Sequence, residues 1–231
     1  MPFNNEFESQ FKSLFLTTGV GPVRGRNDGP ALSIKCDRFF AMPVYPVESA
    51  LRKIHGQHRN VARVLAALRE HAEACARGDA PADFALMDSM LGYVYMFCER
   101  IHHPTEEEFL FAALRRQKAP ERMTAQAAEQ HVLGTMKLNA LRDALDLWRD
   151  RPDARSEGFL AQTADYLSFQ FDHMSYEERV ILPCAVDTLP ADDWQLISDA
   201  FLAQNDPLFG PHLTPELTPL RELLSVGQAS H

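Results

Sequence analysis

A chain of 231 residues carrying 23 Lys and Arg against 32 Asp and Glu has a formal net charge of −9, an acidic balance that argues against nucleic acid as a partner in the absence of any basic patch. At 45% hydrophobic and 24% charged residues, the composition is that of a folded globule long enough to bury a core without staples, which excludes disordered and collagenous classes. Apolar runs of only a few residues exclude a membrane-spanning helix.

Residues 1–46 contain TTGVGPVRGRNDGP and AMPVYP, too rich in Gly and Pro for regular structure, and predict an irregular, extended N-terminal arm. The start lacks a basic stretch and carries acids, which argues against a secretory signal and for a cytoplasmic location. Eleven of the 15 prolines lie before residue 47 or after residue 182, so 47–182 is broken only at Pro81, Pro104, Pro120 and Pro152. Three of these coincide with the loop signals RGDAPAD, QKAPE and DRPDARSEG. The intervening segments are rich in Ala, Leu, Glu and Arg and lack strand alternation, which predicts helices near 47–77, 83–117, 121–149 and 156–184. Short connections make neighbours antiparallel, so the expected fold is all-α, an up-down-up-down four-helix bundle over 47–186. PADDWQLISDAFLAQN predicts a short amphipathic helix near 191–204, placed to cover the bundle or to mediate a homodimer, followed by a tail to residue 231.

Cys36, Cys75, Cys98 and Cys184 include no close pair, which excludes zinc-ribbon and thioredoxin-like chemistry and reads as free thiols. The last three fall at apolar helical phases, where a thiol packs as a small hydrophobe. HExxH, GxSxG and GxxxxGK[ST] motifs are all missing.

The histidines occupy positions where apolar residues belong. In the first helix the seam Val47, Leu51, Ile54, Val61, Leu65, Leu68, Ala72 and Cys75 has one gap, and His58 fills it. In the third, His131 takes the core position between Ala127 or Ala128 and Gly134, Leu138, Leu141, Leu145 and Trp148. The second and fourth helices share a string: HHPTEEEFLF from His102 and HMSYEERVIL from His173 both read H-x-x-x-E-E-x-φ-φ-φ, with φ apolar. The i, i+4 spacing sets His102 beside Glu106 and His173 beside Glu177 on one helix face. Those faces share the phase of Val94, Cys98, Phe109 and Ala113, and of Tyr166, Phe169, Val180 and Ile181, so they point inward. Four imidazoles and two carboxylates then converge on one buried volume, where unpaired carboxylates cost several kcal/mol each unless cations neutralise them. The ligand count suits two ions, with Glu106 and Glu177 bridging, and mixed imidazole and carboxylate ligation suits iron, manganese or zinc.

IHGQHRNVARVL, the doubled His-x-x-x-Glu and the lone His131 in EQH resemble the hemerythrin-like, or HHE cation-binding, domains over residues 47–186. DDW and NDPLFG near Trp194 and Asp206–Gly210 resemble the C-terminal extension of a bacterial branch of that family. The resemblance implies a four-helix bundle holding a non-haem di-iron centre on His58, His102, Glu106, His131, His173 and Glu177. Oxygen-carrying members have a second third-helix histidine, whereas here Ala127 and Thr135 flank His131 at four residues. That departure implies an additional coordination position, open to an exogenous molecule or to one of Tyr95, Tyr166 and Tyr176.

His55 is a candidate for a supporting or spare ligand, and His103 with Glu107 forms a rival i, i+4 pair that a kink at Pro104 could turn inward. Glu99 opens a Glu-x-x-His string with His102, but the ferritin-type site needs a second such motif. The function implied is binding or sensing of oxygen, nitric oxide or peroxide in oxidative or nitrosative stress, behind an apolar wall of Phe109, Phe169, Met174 and Val180. Alternatives are a di-iron enzyme, peroxidase-like or repairing iron–sulfur centres, and a metal-stabilised regulatory or interaction module.

Overall fold

The computed structural model describes residues 45–151 and 156–226, so the arm up to residue 44, with Cys36, lies outside the described residues. The described architecture is all-α. Helix α1 runs Pro46–Arg77. Helix α2 spans 84–116 and changes its winding along its length: α-helical over Phe84–Val94, π-helical over Tyr95–His102, α-helical over His103–Thr105, π-helical over Glu106–Phe111 and α-helical over Ala112–Arg116. Helix α3 runs Glu121–Asp150. Helix α4 spans 157–188, with a π-helical turn at Glu177–Ile181. Helix α5 is Ala191–Ala203, and after a 3₁₀ turn at Pro215–Leu217 comes α6, Thr218–Val226.

The ends follow local chemistry. Gly78, at φ 79°, closes α1 while the Asp79 N–H donates to the Ala74 carbonyl at 2.9 Å, and the Asp83 carboxylate caps α2 by accepting from the Leu86 N–H at 2.9 Å. Helix α6 replaces the expected tail. Its prolines disguise it, yet Pro215 opens the 3₁₀ turn and Pro219 is the second residue of α6, where a missing N–H costs no helical bond.

Each of the four long helices packs against two others: α1 on α2, α2 on α3, α3 on α4 and α4 on α1. Helix α5 lies on α1 and buries Trp194, Ile197 and Phe201 into a cluster with Ile54, Phe111, Leu114 and Ile181, so it covers the bundle. Cys98 is buried as its phase predicts, while Cys75 and Cys184 are half-buried. Among the described residues no helix is long and apolar enough to cross a membrane.

Asp206, in the NDPLFG string, fixes the segment after α5. Its Oδ1 accepts from the Leu208 and Phe209 N–H groups at 2.9 Å each, and its Oδ2 accepts from Asn60 at 3.1 Å and from the Tyr93 hydroxyl at 3.2 Å. Gly210 closes the same turn, because a Cβ there would strike the Asp206 carbonyl and stand 2.7 Å from Asn205 Oδ1. Asp206→Ala strands the buried Tyr93 hydroxyl without this acceptor and is expected to cost about 3 kcal/mol. A lower urea midpoint at constant slope checks this, and an unchanged midpoint would mean that apolar contacts alone dock the segment.

Candidate metal centre

The structure brings together all six residues expected to bind metal. His58, His102, Glu106, His131, His173 and Glu177 are each no more than 4% exposed, and they come one or two from each long helix. Helix α1 delivers His58 between Ile54 and Val61, and α3 delivers His131 between Ala127 and Gly134, so each imidazole interrupts a mainly apolar buried seam. Gly134 makes room beside it, since a Cβ there would meet the Phe169 ring at 3.2 Å.

The imidazoles turn one nitrogen inward. His58 Nε2 lies 3.4 Å from Glu177 Oε2 and 3.2 Å from His102 Nε2, and His102 Nε2 lies 3.2 Å from Glu106 Oε1. On the other side, His131 Nε2 is 3.5 Å from both Glu106 Oε2 and Glu177 Oε1, and His173 Nε2 is 3.4 Å from Glu177 Oε1. Each carboxylate therefore presents one oxygen to the His58 and His102 pair and the other to the His131 and His173 pair.

The opposite nitrogens face outward to acceptors. His58 Nδ1 meets Glu178 at 2.9 Å, His102 Nδ1 meets the Gln57 amide oxygen at 3.0 Å, His131 Nδ1 meets Glu107 at 2.8 Å and His173 Nδ1 meets Gln130 at 3.2 Å. An acceptor at Nδ1 holds the proton there and leaves the Nε2 lone pair facing the centre, the tautomer a metal ligand needs. The partners were not read from the sequence, though a signal was present in the doubled acids. In each Glu-Glu pair the first carboxylate enters the centre, and the second, Glu107 or Glu178, holds an imidazole from a different helix.

Three placements differ from the sequence expectation. His103 and His102 are both buried, and His103, His131 and His173 bring ligand atoms within 4.8 Å of one another, as do His58, His102, Glu106 and Glu177. The cause is winding: a π turn closes i→i+5 and spreads more residues over one turn, so neighbours diverge by less than the roughly 100° of an α-helix. Glu107, by contrast, has a side chain 48% exposed and enters only as the partner of His131. Val180, expected in the apolar wall, is 39% exposed, because the π turn over Glu177–Ile181 shifts the phase. Phe169 stacks parallel to His173 with centroids 6.4 Å apart, Met174 is buried, and Phe109 is half-buried against the apolar cluster.

The tyrosines proposed to approach the site are engaged with other groups. The Tyr166 hydroxyl accepts from Gln170 at 2.8 Å, the Tyr176 hydroxyl donates to the Met123 carbonyl at 3.2 Å, and the Tyr95 ring faces the Arg142 guanidinium at 5.6 Å. His55 is half-buried. A cleft of about 530 Å³ opens onto the centre, with Glu99, His103, Glu107, His131, Val132 and Thr135 in its lining.

The donor set fits a metal. Glu106 Oε2, His131 Nε2, His173 Nε2 and both oxygens of Glu177 are buried with no hydrogen-bond partner, an arrangement that costs free energy unless a cation meets them. Without metal, protons take part of that role. Burial alone would lower the affinity of His58 and His131 for a proton, but the attraction of Glu177 and Glu178, and of Glu106 and Glu177, outweighs it and raises their pKa values to about 10 and about 11. Burial works against ionised Glu177, as does Glu106, yet His173, His131 and His58 bring its pKa down to about 2. Burial lowers the pKa of His103 well below the ordinary value and lowers that of His173, helped in both by neighbouring imidazoles.

These shifts give the metal-free protein an optimum. His58 and His131 contribute fully below the unfolded value of 6.5, and their contribution is lost as the pH rises through about 10 and 11. His103 and His173, held neutral, oppose folding as the pH falls below 6.5. The contribution of Glu177 is full above 4.5 and lost as the pH falls through about 2. Urea midpoints of EDTA-treated protein are therefore expected to peak near pH 6.5 and to fall at both pH 5 and pH 9. A midpoint that climbs steadily to pH 9 would contradict the paired imidazoliums.

Comparison with protein-family models matches residues 49–185 to the family described as hemerythrin HHE cation binding domain. No curated protein and no solved structure matches the chain.

Proposed function

We propose, for a chain that belongs to the hemerythrin HHE cation-binding family, that the buried cluster holds two iron ions and serves to bind or sense a small diatomic or peroxide ligand. Cation binding follows from the family and fits the cluster. The observation that carries the two-ion reading is the placement of Glu106 and Glu177, each with one oxygen toward His58 and His102 and the other toward His131 and His173. His58 and His102 would hold one ion, His131 and His173 the other, with both carboxylates bridging; manganese or zinc could substitute.

Bound there, two irons supply redox chemistry and positions for small ligands. The chain supplies the rest. Glu178, Gln57, Glu107 and Gln130 orient the imidazoles through Nδ1, and Phe111, Phe169 and Met174 limit water around them. The cleft beside His103 and His131 is a route for a small molecule. A cytoplasmic role in oxidative or nitrosative stress is consistent with this site and with the three free thiols among the described residues.

Elemental analysis of aerobically purified protein is expected to find about two irons per chain, with near-ultraviolet bands of a bridged pair. Stopped-flow mixing of the reduced protein with oxygen, nitric oxide or peroxide should change that spectrum. Bound iron with no spectral change toward any of the three would reduce the function to a metal-stabilised module, whereas peroxide turnover above the rate of free iron would make it an enzyme.

A further inference from the structure

We infer that His103 is a fifth imidazole ligand of this centre, supplied by α2 in place of a second histidine from α3. The inference rests on the two-ion reading above and deepens it.

The sequence offered His102 and His103 as competitors, yet both rings reach the interior, because the π turn Tyr95–His102 ends between them and a second begins at Glu106. His103 is 5% exposed. Its ring stacks on His131 at 4.0 Å and meets His173 edge-on at 5.3 Å, the two imidazoles assigned to the second ion. With them it forms a set whose ligand atoms lie within 4.8 Å of one another.

His103 turns the same nitrogen toward an acceptor, though at a longer distance than in the other four, where Nδ1 meets its acceptor at 2.8–3.2 Å. Its Nδ1 faces an acidic oxygen, Glu99 Oε2, at 3.8 Å, one turn earlier on the same helix. That leaves Nε2 as the ligand atom, as in His58, His102, His131 and His173. Thr135 completes the arrangement. It stands one turn beyond His131 on α3, and its hydroxyl donates to the same Glu99 oxygen that His103 faces. Nothing at the His103 Nδ1 satisfies it by hydrogen bonding, and Glu99 Oε1 is also without a partner. Buried polar atoms in that condition are costly if they only fill space, and His103 stands against His131 and His173, whose own Nε2 atoms have no hydrogen-bond partner. The coordination position that the lone α3 histidine would leave open is thus occupied by protein, and the imidazoles divide three to two between the ions.

The test compares wild type with His103→Ala and His103→Gln after anaerobic loading with ferrous iron, by iron content and by affinity. Wild type is expected to keep two irons. Each variant, with its helical circular dichroism retained, should keep one firmly and bind the second at least 100-fold more weakly, and millimolar imidazole should restore the second in His103→Ala. Independently of any variant, zinc-loaded wild type should show five rather than four histidine Nε2 resonances shifted by metal in long-range proton–nitrogen spectra. Two irons of unchanged affinity in the variants, or four shifted nitrogens in wild type, would reduce His103 to a stacking neighbour of His131. A wild type that binds no metal would instead overturn the two-ion reading together with this one.

Discussion

Glu177→Ala is expected to release both ions at once, with at least a 100-fold loss of affinity for each. Glu177 is 1% exposed, and its two oxygens face His58 on one side and His131 and His173 on the other. Its removal takes one anionic ligand from each ion and leaves His58 and His131 without the carboxylate they share. His173→Ala, which touches one side only, should weaken one ion and spare the other. Glu177→Gln separates charge from volume, because it keeps the shape of the side chain and loses the anionic oxygen. Iron content and the near-ultraviolet spectrum, read across the three variants, check the prediction. Equal losses in Glu177→Ala and His173→Ala would show that the carboxylate does not bridge.

Chelation of the loaded protein should lower the melting temperature by about 20 °C while leaving helical circular dichroism at room temperature nearly unchanged. An ion present at 1,000 times its dissociation constant stabilises the folded state by about 4 kcal/mol. Two such ions contribute about 8 kcal/mol, and each kcal/mol moves the midpoint of a chain of this size by roughly 2–4 °C. The bundle itself should persist, because the raised pKa values of His58 and His131 let protons balance Glu106 and Glu177 when no metal is bound. Thermal melts with and without EDTA check this, with Glu177→Ala as the control that should not respond. A wild-type melt indifferent to EDTA would mean that the cluster is a self-satisfied polar core.

Much of the site was legible because a polar residue at an apolar phase is a strong one-dimensional signal. His58 and His131 each interrupt a buried seam, and the repeated H-x-x-x-E-E string marks the same face on two helices. Such positions are costly to fill with imidazole or carboxylate unless the groups meet partners, so the pattern itself implied convergence. The helix spans were legible for a similar reason, since Gly, Pro and Asp clusters break the backbone regardless of what packs nearby. Helix α6 was missed because a proline count does not distinguish a first helical turn from a helix interior.

By itself, then, the sequence determined the all-α class, four long helices and six of the groups that converge. The tertiary structure alone decided the winding of α2 and α4, and with it the entry of His103 and the exposure of Val180. Whether a carbonyl accepts from the fourth or the fifth residue onward is a small local difference, settled by which side chains the neighbouring helices must accommodate. The prolines hint at it, because Pro104 and Pro183 each stand two residues after a π turn, where the helix must already do without one N–H. The same holds for Glu107 and Glu178. Their sequence places them beside the ligand carboxylates, and only the packing of α2 against α3 and of α4 against α1 gives each an imidazole to hold.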